Sequence, residues 1–236
     1  NGQKLMLING GDMFRPDPSI SLMYLTPSQS EVEEIYSKLI EDGKALMPLG
    51  EYPFSPKYGW VEDRYGVSWQ LYSGLEEHII QKLVPTLMFT GRNNGKAEEA
   101  VGFYTSVLPD SQPRGMMRYT GSEGEVAGNI QHGEFMIRDY LLMIMDSSGQ
   151  PDLSFTEGVS LVVECDTQAE IDRYWTALTS AGGEESMCGW LKDRYGVSWQ
   201  IVPTVLPALM ARSPRVTEEL LKMKKLDIRK LTEAAG

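Results

Sequence analysis

One stretch of this sequence occurs twice, and it limits the fold more than any other feature. Gly59-Trp60-Val61-Glu62-Asp63-Arg64-Tyr65-Gly66-Val67-Ser68-Trp69-Gln70 returns as Gly189-Trp190-Leu191-Lys192-Asp193-Arg194-Tyr195-Gly196-Val197-Ser198-Trp199-Gln200. Identity of this kind across a long gap marks an internal repeat, so the chain is built from copies of one supersecondary unit. The stretch itself reads as a β-hairpin. Asp-Arg-Tyr-Gly is a tight connection with glycine where a positive φ is expected. Val-Ser-Trp-Gln-Ile alternates apolar and polar, as a half-buried strand does. Pairing Asp193 with Val197 sets Lys192 against Ser198, Leu191 against Trp199 and Trp190 against Gln200. Cross-strand partners share a face. One face then carries Trp190, Ser198 and Gln200, a mixture of aromatic and polar groups suited to a ligand. The other carries Leu191, Val197, Trp199 and Ile201, a core surface for a helix.

The residues before each hairpin repeat as well. Residues 20–25 read as a strand. Ser28 with Glu31 three residues on is the pattern of a capping box, and Val32, Ile35, Tyr36, Leu39 and Ile40 follow at helical spacing until Gly43. A loop rich in proline and glycine, containing Pro48, Gly50, Pro53 and Pro56, leads into the first hairpin. Residues 159–164 form the corresponding strand, and Thr167 with Glu170 the corresponding capping box. Ile171, Tyr174, Trp175 and Leu178 form the helix face, which stops at Gly182-Gly183. Between these copies, residues 83–90 read as a strand, 96–108 as a helix, and 114–120, 127–137 and 141–145 as three strands. The repeated order is β-α-β-β-β.

The expected fold is therefore α+β: repeated βαβββ modules forming curved mixed sheets with helices outside. Residues 1–75 hold one full module plus a leading strand at 3–8. Residues 76–205, entered through a short linker at 76–82, hold two modules, 83–150 and 157–203. Residues 206–236 form an amphipathic helix, with Ser213-Pro214 as its start and Val216, Leu220, Met223, Leu226 and Leu231 as an apolar stripe.

The net charge of -11 over 236 residues argues against nucleic acid or an anionic membrane as partner. No apolar run approaches a membrane span. The chain opens on Asn1 without a secretory signal, which points to residues removed or left out upstream. Cys165 and Cys188 are its two cysteines, as expected of a cytoplasmic protein with free thiols.

The order of the modules, the closing Asp-x-x-Gly-x-x-x-Gln, and several further segments resemble the vicinal oxygen chelate superfamily of glyoxalase, bleomycin-resistance and ring-cleaving dioxygenase proteins. The segments are Pro85-Thr86-Leu87-Met88-Phe89, Ala97-Glu98-Glu99-Ala100-Val101-Gly102-Phe103-Tyr104, His132-Gly133-Glu134-Phe135 and the tail Lys222-Met223-Lys224-Lys225-Leu226-Asp227-Ile228. They are most similar to its PhnB-like branch, which carries the description 3-demethylubiquinone-9 3-methyltransferase. The resemblance implies cups closed by two modules each. Residues 80–205 would supply one whole cup. Residues 18–75 would supply half of another, with 3–8 as the last strand of a missing first module. The implied assembly is an edge-to-edge contact of residues 20–73 with residues 157–203 of the same chain, together with a homodimer.

Superfamily enzymes hold a divalent metal with His and Glu from the cup. Here Gln200 and Gln70 occupy the usual Glu position, and the opening strand reads Thr86, Leu87 and Met88 where His is expected. The only histidines are His78 and His132. Neutral amide oxygens are poor ligands for a site of this class, so no native metal and no other cofactor is expected. A methyl-donor site also lacks its glycine-rich turn between strand and helix. The expected function is a small-molecule-binding protein whose ligand is lined by Trp190, Ser198, Gln200, Asp146, Trp60 and Gln70. The alternative is a superfamily enzyme acting on a small oxygenated or aromatic substrate, with His132 as general base.

Overall fold

The computed structural model describes residues 3–74, 79–150 and 152–236. Asn1, the start of the expected linker (Glu76 and Glu77) and His78 lie outside them. The chain divides into two compact units, 1–158 and 159–236.

The first unit runs β1 (Ile20–Thr26), α1 (Gln29–Leu39), β2 (Lys44–Tyr52), β3 (Ser55–Glu62), β4 (Ser68–Ser73), β5 (Leu83–Phe89), α2 (Ala97–Val107), β6 (Ser111–Arg118), β7 (Ile130–Ile137) and β8 (Tyr140–Asp146). All its strands join one mixed sheet in the order β2-β3-β4-β1-β5-β8-β7-β6. Each half is a βαβββ module whose first strand lies parallel to its last. The halves meet at β1 and β5, which pair antiparallel from Ile20↔Leu87 to Tyr24↔Leu83. Helices α1 and α2 pack on one face of this sheet. Val32, Val61, Leu71, Leu87, Phe89, Val101, Tyr104, Phe135 and Ile144 are fully buried.

The second unit runs β9 (Ser160–Cys165), α3 (Gln168–Leu178), β10 (Glu184–Glu185), β11 (Trp190–Lys192), β12 (Ser198–Pro203), α4 (Leu206–Arg212), α5 (Pro214–Leu220) and α6 (Ile228–Ala235). Its sheet order is β10-β11-β12-β9, with β9 parallel to β12 and α3 packed on one face.

The modules are right and their grouping is corrected. Residues 83–146 complete a sheet with 20–73, not with 157–203, because β5 presents its edge to β1. Three smaller corrections have local causes. Residues 3–8 join no ladder among the described residues, and Leu5, Met6, Leu7 and Ile8 are exposed. The proline-rich loop is largely the strand β2, tolerated because β2 is an edge strand with three register shifts against β3. The tail is three short helices rather than one. Ser213 caps α5 with Pro214 behind it, and Asp227 caps α6. The turn between those helices is pinned to the hairpin by Cys188 N–H to Met223 O (2.7 Å) and Gly189 N–H to Lys224 O (2.8 Å). Leu209, Val216, Met223, Leu226 and Leu231 still share one core.

The two capping boxes diverge. Thr167 and Glu170 form the full reciprocal pair. Ser28 accepts from Glu31 N–H, but the Glu31 carboxylate turns away to accept from Thr26 Oγ1, Tyr24 OH (2.6 Å) and Lys82 Nζ (3.0 Å). These hydrogen bonds, that from Thr26 foremost, then those from Tyr24 and Lys82, pull its pKa from 4.5 to about 2. A carboxylate depressed in the folded state stabilises above its unfolded pKa and loses that contribution as pH falls through the folded one. Thermal melts of wild type and Glu31→Gln are expected to differ at pH 6 and to converge as pH falls from about 4.5 to about 2. A difference that persists unchanged to the acid end would show the network is not ionic.

Candidate functional site

The repeated hairpin adopts the expected register in both copies: Trp60↔Gln70 and Val61↔Trp69 in the first, Trp190↔Gln200 and Leu191↔Trp199 in the second. Its sequence identity has a structural cause. Asp193 Oδ1 accepts from the backbone N–H of Tyr195 (2.9 Å) and Val197 (3.1 Å), and Oδ2 accepts from Trp199 Nε1 (2.9 Å). Asp63 does the same with Tyr65, Val67 and Trp69. The carboxylate thus ties the turn to the tryptophan of the returning strand. Trp199, Leu191, Val197 and Ile201 are buried, on the face that α3 covers.

The opposite faces differ between copies. In the first unit, Trp60 Nε1 donates to Ser68 Oγ (2.7 Å). Tyr58 OH donates to Gln70 Oε1 (2.7 Å), and Gln70 Nε2 donates to Ser21 Oγ (2.6 Å). Trp60, Tyr58 and Met88 form a core cluster, against which Leu46, Met47, Tyr52, Tyr72, Met145 and Leu153 pack. Burial drives the Tyr58 phenol pKa upward, so it stays a neutral donor. Trp60 and Gln70 are therefore buried and satisfied within the fold. Thr86, opposite Ser21 in the sheet, has a buried hydroxyl without a partner.

In the second unit, Gln200 Nε2 donates to Ser160 Oγ (2.9 Å), as Gln70 does to Ser21. The tryptophan–serine bond is not repeated. Ser198 is 0% exposed and its Oγ has no partner, whereas Trp190 is only half-buried. Cys188 stands where Tyr58 stands in the first copy, at a positive φ of 60°, so the amide of Gln200 lacks the phenol that holds Gln70. Burial raises the Cys188 thiol pKa.

The remaining candidates separate. Asp146 does not line the cup beside His132. It shares a face with Leu142 and Ile144 under α2, where its oxygens accept from Gly95 N–H (2.7 Å), Ala97 N–H (3.2 Å) and Ile130 N–H (2.9 Å). Burial pushes its pKa up, opposed by those amides. Its role is to cap α2 and tie β7 to it. His132 lies on β7 opposite Met117, with Nε2 3.4 Å from Glu134 Oε1. That contact holds the Glu134 carboxyl below its ordinary pKa.

The donor chemistry does not fit the divalent metal of the superfamily. Gln70 Oε1 is taken by Tyr58, Gln200 offers one neutral amide oxygen where a carboxylate is needed, and Thr86 offers a hydroxyl where an imidazole is needed. Among the described residues, no three His, Cys, Asp or Glu side chains gather as a metal site. A nucleotide methyl donor fits no better, since the first amides of α2 are taken by Asp146 and the sheets are not doubly wound.

Paired βαβββ modules in a curved mixed sheet with outer helices define a glyoxalase/bleomycin-resistance fold. Glyoxalase I from Zea mays shares it at a TM-score of 0.54 and 13% identity, over 82% of this chain and 70% of that one. A family model described as 3-demethylubiquinone-9 3-methyltransferase matches residues 1–72 and 81–202, and the chain belongs to that PhnB-like family. A PhnB protein from Bacillus cereus is 35% identical, covering 52% of this chain and all of its own, at a TM-score of 0.48. A protein from Pseudomonas aeruginosa is 26% identical over 50% of this chain and 93% of its own, at a TM-score of 0.42. No curated protein matches. Among the described residues no helix is long and apolar enough to cross a membrane.

Proposed function

We propose that this chain is a small-molecule-binding protein that works without a resident metal, as a homodimer in the cytoplasm, and that its ligand docks on the Trp190–Ser198–Gln200 face. The carrying observation is Ser198 Oγ, buried and unpartnered, in a motif whose other copy satisfies the same hydroxyl internally. A buried polar group without a partner is costly and calls for one. Trp190 supplies a flat surface and an indole N–H, Ser198 a hydroxyl, and Gln200 the amide oxygen left over from its bond to Ser160. A flat ligand with a hydroxyl or carbonyl on its rim matches this set. The enzyme reading has one observation in its favour, the His132–Glu134 pair, which is the geometry of an oriented base.

Two serine variants test the binding reading. Ser68→Ala should destabilise by about 1–2 kcal/mol, because it orphans the Trp60 indole N–H. Ser198→Ala should leave stability unchanged or slightly raised, since no bond is lost. A thermal-shift screen against divalent metals and flat oxygenated aromatics should yield binders that Trp190→Ala abolishes and Ser198→Ala weakens about tenfold, the worth of one good hydrogen bond. Binding that survives Trp190→Ala would place the ligand elsewhere. Turnover of a bound compound lost in His132→Ala would establish the enzyme instead.

A further inference from the structure

The tail segment from Lys222 to Ile228 has no part in the Trp190 face, yet its composition is unusual for this chain. Five of the nine residues 222–230 are Lys or Arg and one is acidic, in a protein of net charge -11. Met223 and Leu226 belong to the tail core, which accounts for the apolar positions and not for the cations. The turn between α5 and α6 lies against the first turns of α3. There the Gln168 amide clamps it: Nε2 donates to Leu226 O (3.0 Å) and Oε1 accepts from Ile228 N–H (2.9 Å). Helix α3 and the tail together bound a cleft of about 420 Å³, lined chiefly by Gln168, Asp172, Lys222, Lys225, Asp227 and Lys230. That volume lies within the range of small-molecule sites.

The acids of this cleft are already committed. Asp172 Oδ1 accepts from Lys225 Nζ (2.6 Å) and Gln168 Nε2 (3.2 Å), which hold its carboxyl below the ordinary range. Asp227 Oδ1 accepts from Lys230 N–H (3.0 Å) and so caps α6. The cations are in surplus. An ammonium has three donors and no acceptor. Lys225 gives one to Asp172, and Lys222 gives one to Glu219 (3.1 Å). The Lys230 ammonium meets no acceptor among the described residues. We propose that this cleft binds a phosphate dianion, free or at the end of a small molecule, on Lys222, Lys225 and Lys230. A phosphate offers three strong acceptor oxygens and close to two negative charges, which matches three lysines better than a carboxylate does. The strongly acidic remainder of the chain repels an extended polyanion, so the ligand is small. The proposal is independent of the reading of Trp190, Ser198 and Gln200.

Calorimetric titration of the whole chain at low salt with inorganic phosphate, a hexose phosphate and the unphosphorylated hexose tests this. Both phosphates should bind saturably, the hexose should not, and added salt should weaken binding. Tighter binding of the ester would assign a phosphorylated metabolite, and tighter binding of inorganic phosphate the free ion. Lys230 is exposed, so Lys230→Met should melt as the wild type does without ligand and bind phosphate about tenfold more weakly, the loss of one charge-assisted hydrogen bond. Asp172→Asn should shift affinity the other way, severalfold tighter, because it removes a negative charge from the rim while leaving the cleft its shape. A merely structural role for these residues would not produce opposite shifts. Trp190→Ala should leave phosphate binding unchanged. No saturable binding of either phosphate would overturn the inference. So would binding that ignores both Lys230→Met and Asp172→Asn, or binding that is lost in Trp190→Ala.

Discussion

Asp193→Ala should destabilise the second unit by about 3–5 kcal/mol, because several buried donors lose a charged acceptor at once. Three donors lose their acceptor together: the amides of Tyr195 and Val197 and the indole of Trp199. Each buried donor left unsatisfied costs about 1–3 kcal/mol unless water can replace the lost oxygen. Water access is what separates the two copies. Tyr195 is 3% exposed, whereas Tyr65 at the same place in the first turn is 78% exposed. Asp63→Ala should therefore cost less, about 1–2 kcal/mol, because solvent reaches the first turn. Asp193→Asn should fall between, since one amide oxygen still serves part of the set. Urea unfolding followed by tryptophan fluorescence would measure all three. Equal losses for Asp63→Ala and Asp193→Ala would show that burial is not the deciding factor. The result also bears on function, because a purely structural motif explains the repeat without assigning chemistry to its aspartates.

The hairpin was legible because its pattern is local: a tight turn, strict alternation and two copies that agree. Strand β2 was not, since Pro48 and Gly50 are turn residues in most settings and are admitted here only by an edge position with bulges. Asp146 shows how parity decides a role. It continues the row Leu142, Ile144 beneath α2, so its carboxylate meets helix amides rather than the concave face, although the sequence marks it only as an acid at a strand end. Glu31 shows a competing long-range partner. Its capping box has the same spacing as that of Thr167 and Glu170, but Thr26 and Tyr24 on β1, with Lys82 beyond the hairpin, draw the carboxylate away. The grouping of modules is the largest case. Repeats specify what each module is, whereas the choice of partner edge is made by tertiary packing between strands remote in the chain.

Gly183→Ala should destabilise the second unit by about 3 kcal/mol or more, as over-packing against an element that cannot yield does. A Cβ there would sit 2.5 Å from Leu178 O, 2.7 Å from Thr179 Cα and 2.8 Å from Lys192 O, all of them backbone. The glycine lies where the end of α3 passes the carbonyl of β11, and relief requires α3 to move off the sheet that it shares with Trp175, Leu178 and Trp199. The first unit has the same contact. A Cβ on Gly43 would sit 2.5 Å from Glu62 O and 2.8 Å from Leu39 O, the residues that correspond to Lys192 and Leu178. Gly183 has φ -72°, open to any residue, so its cost is space alone. Gly182 provides the control. It has φ +105° and nothing within 4 Å of an added Cβ, so its cost is conformational alone. Gly182→Ala should lose about 1–2 kcal/mol. Thermal unfolding of the two alanine variants would rank them. Were Gly182→Ala the more damaging, the helix would be free to slide over the hairpin, and the close crossing would not be what sets the distance between helix and sheet in these modules.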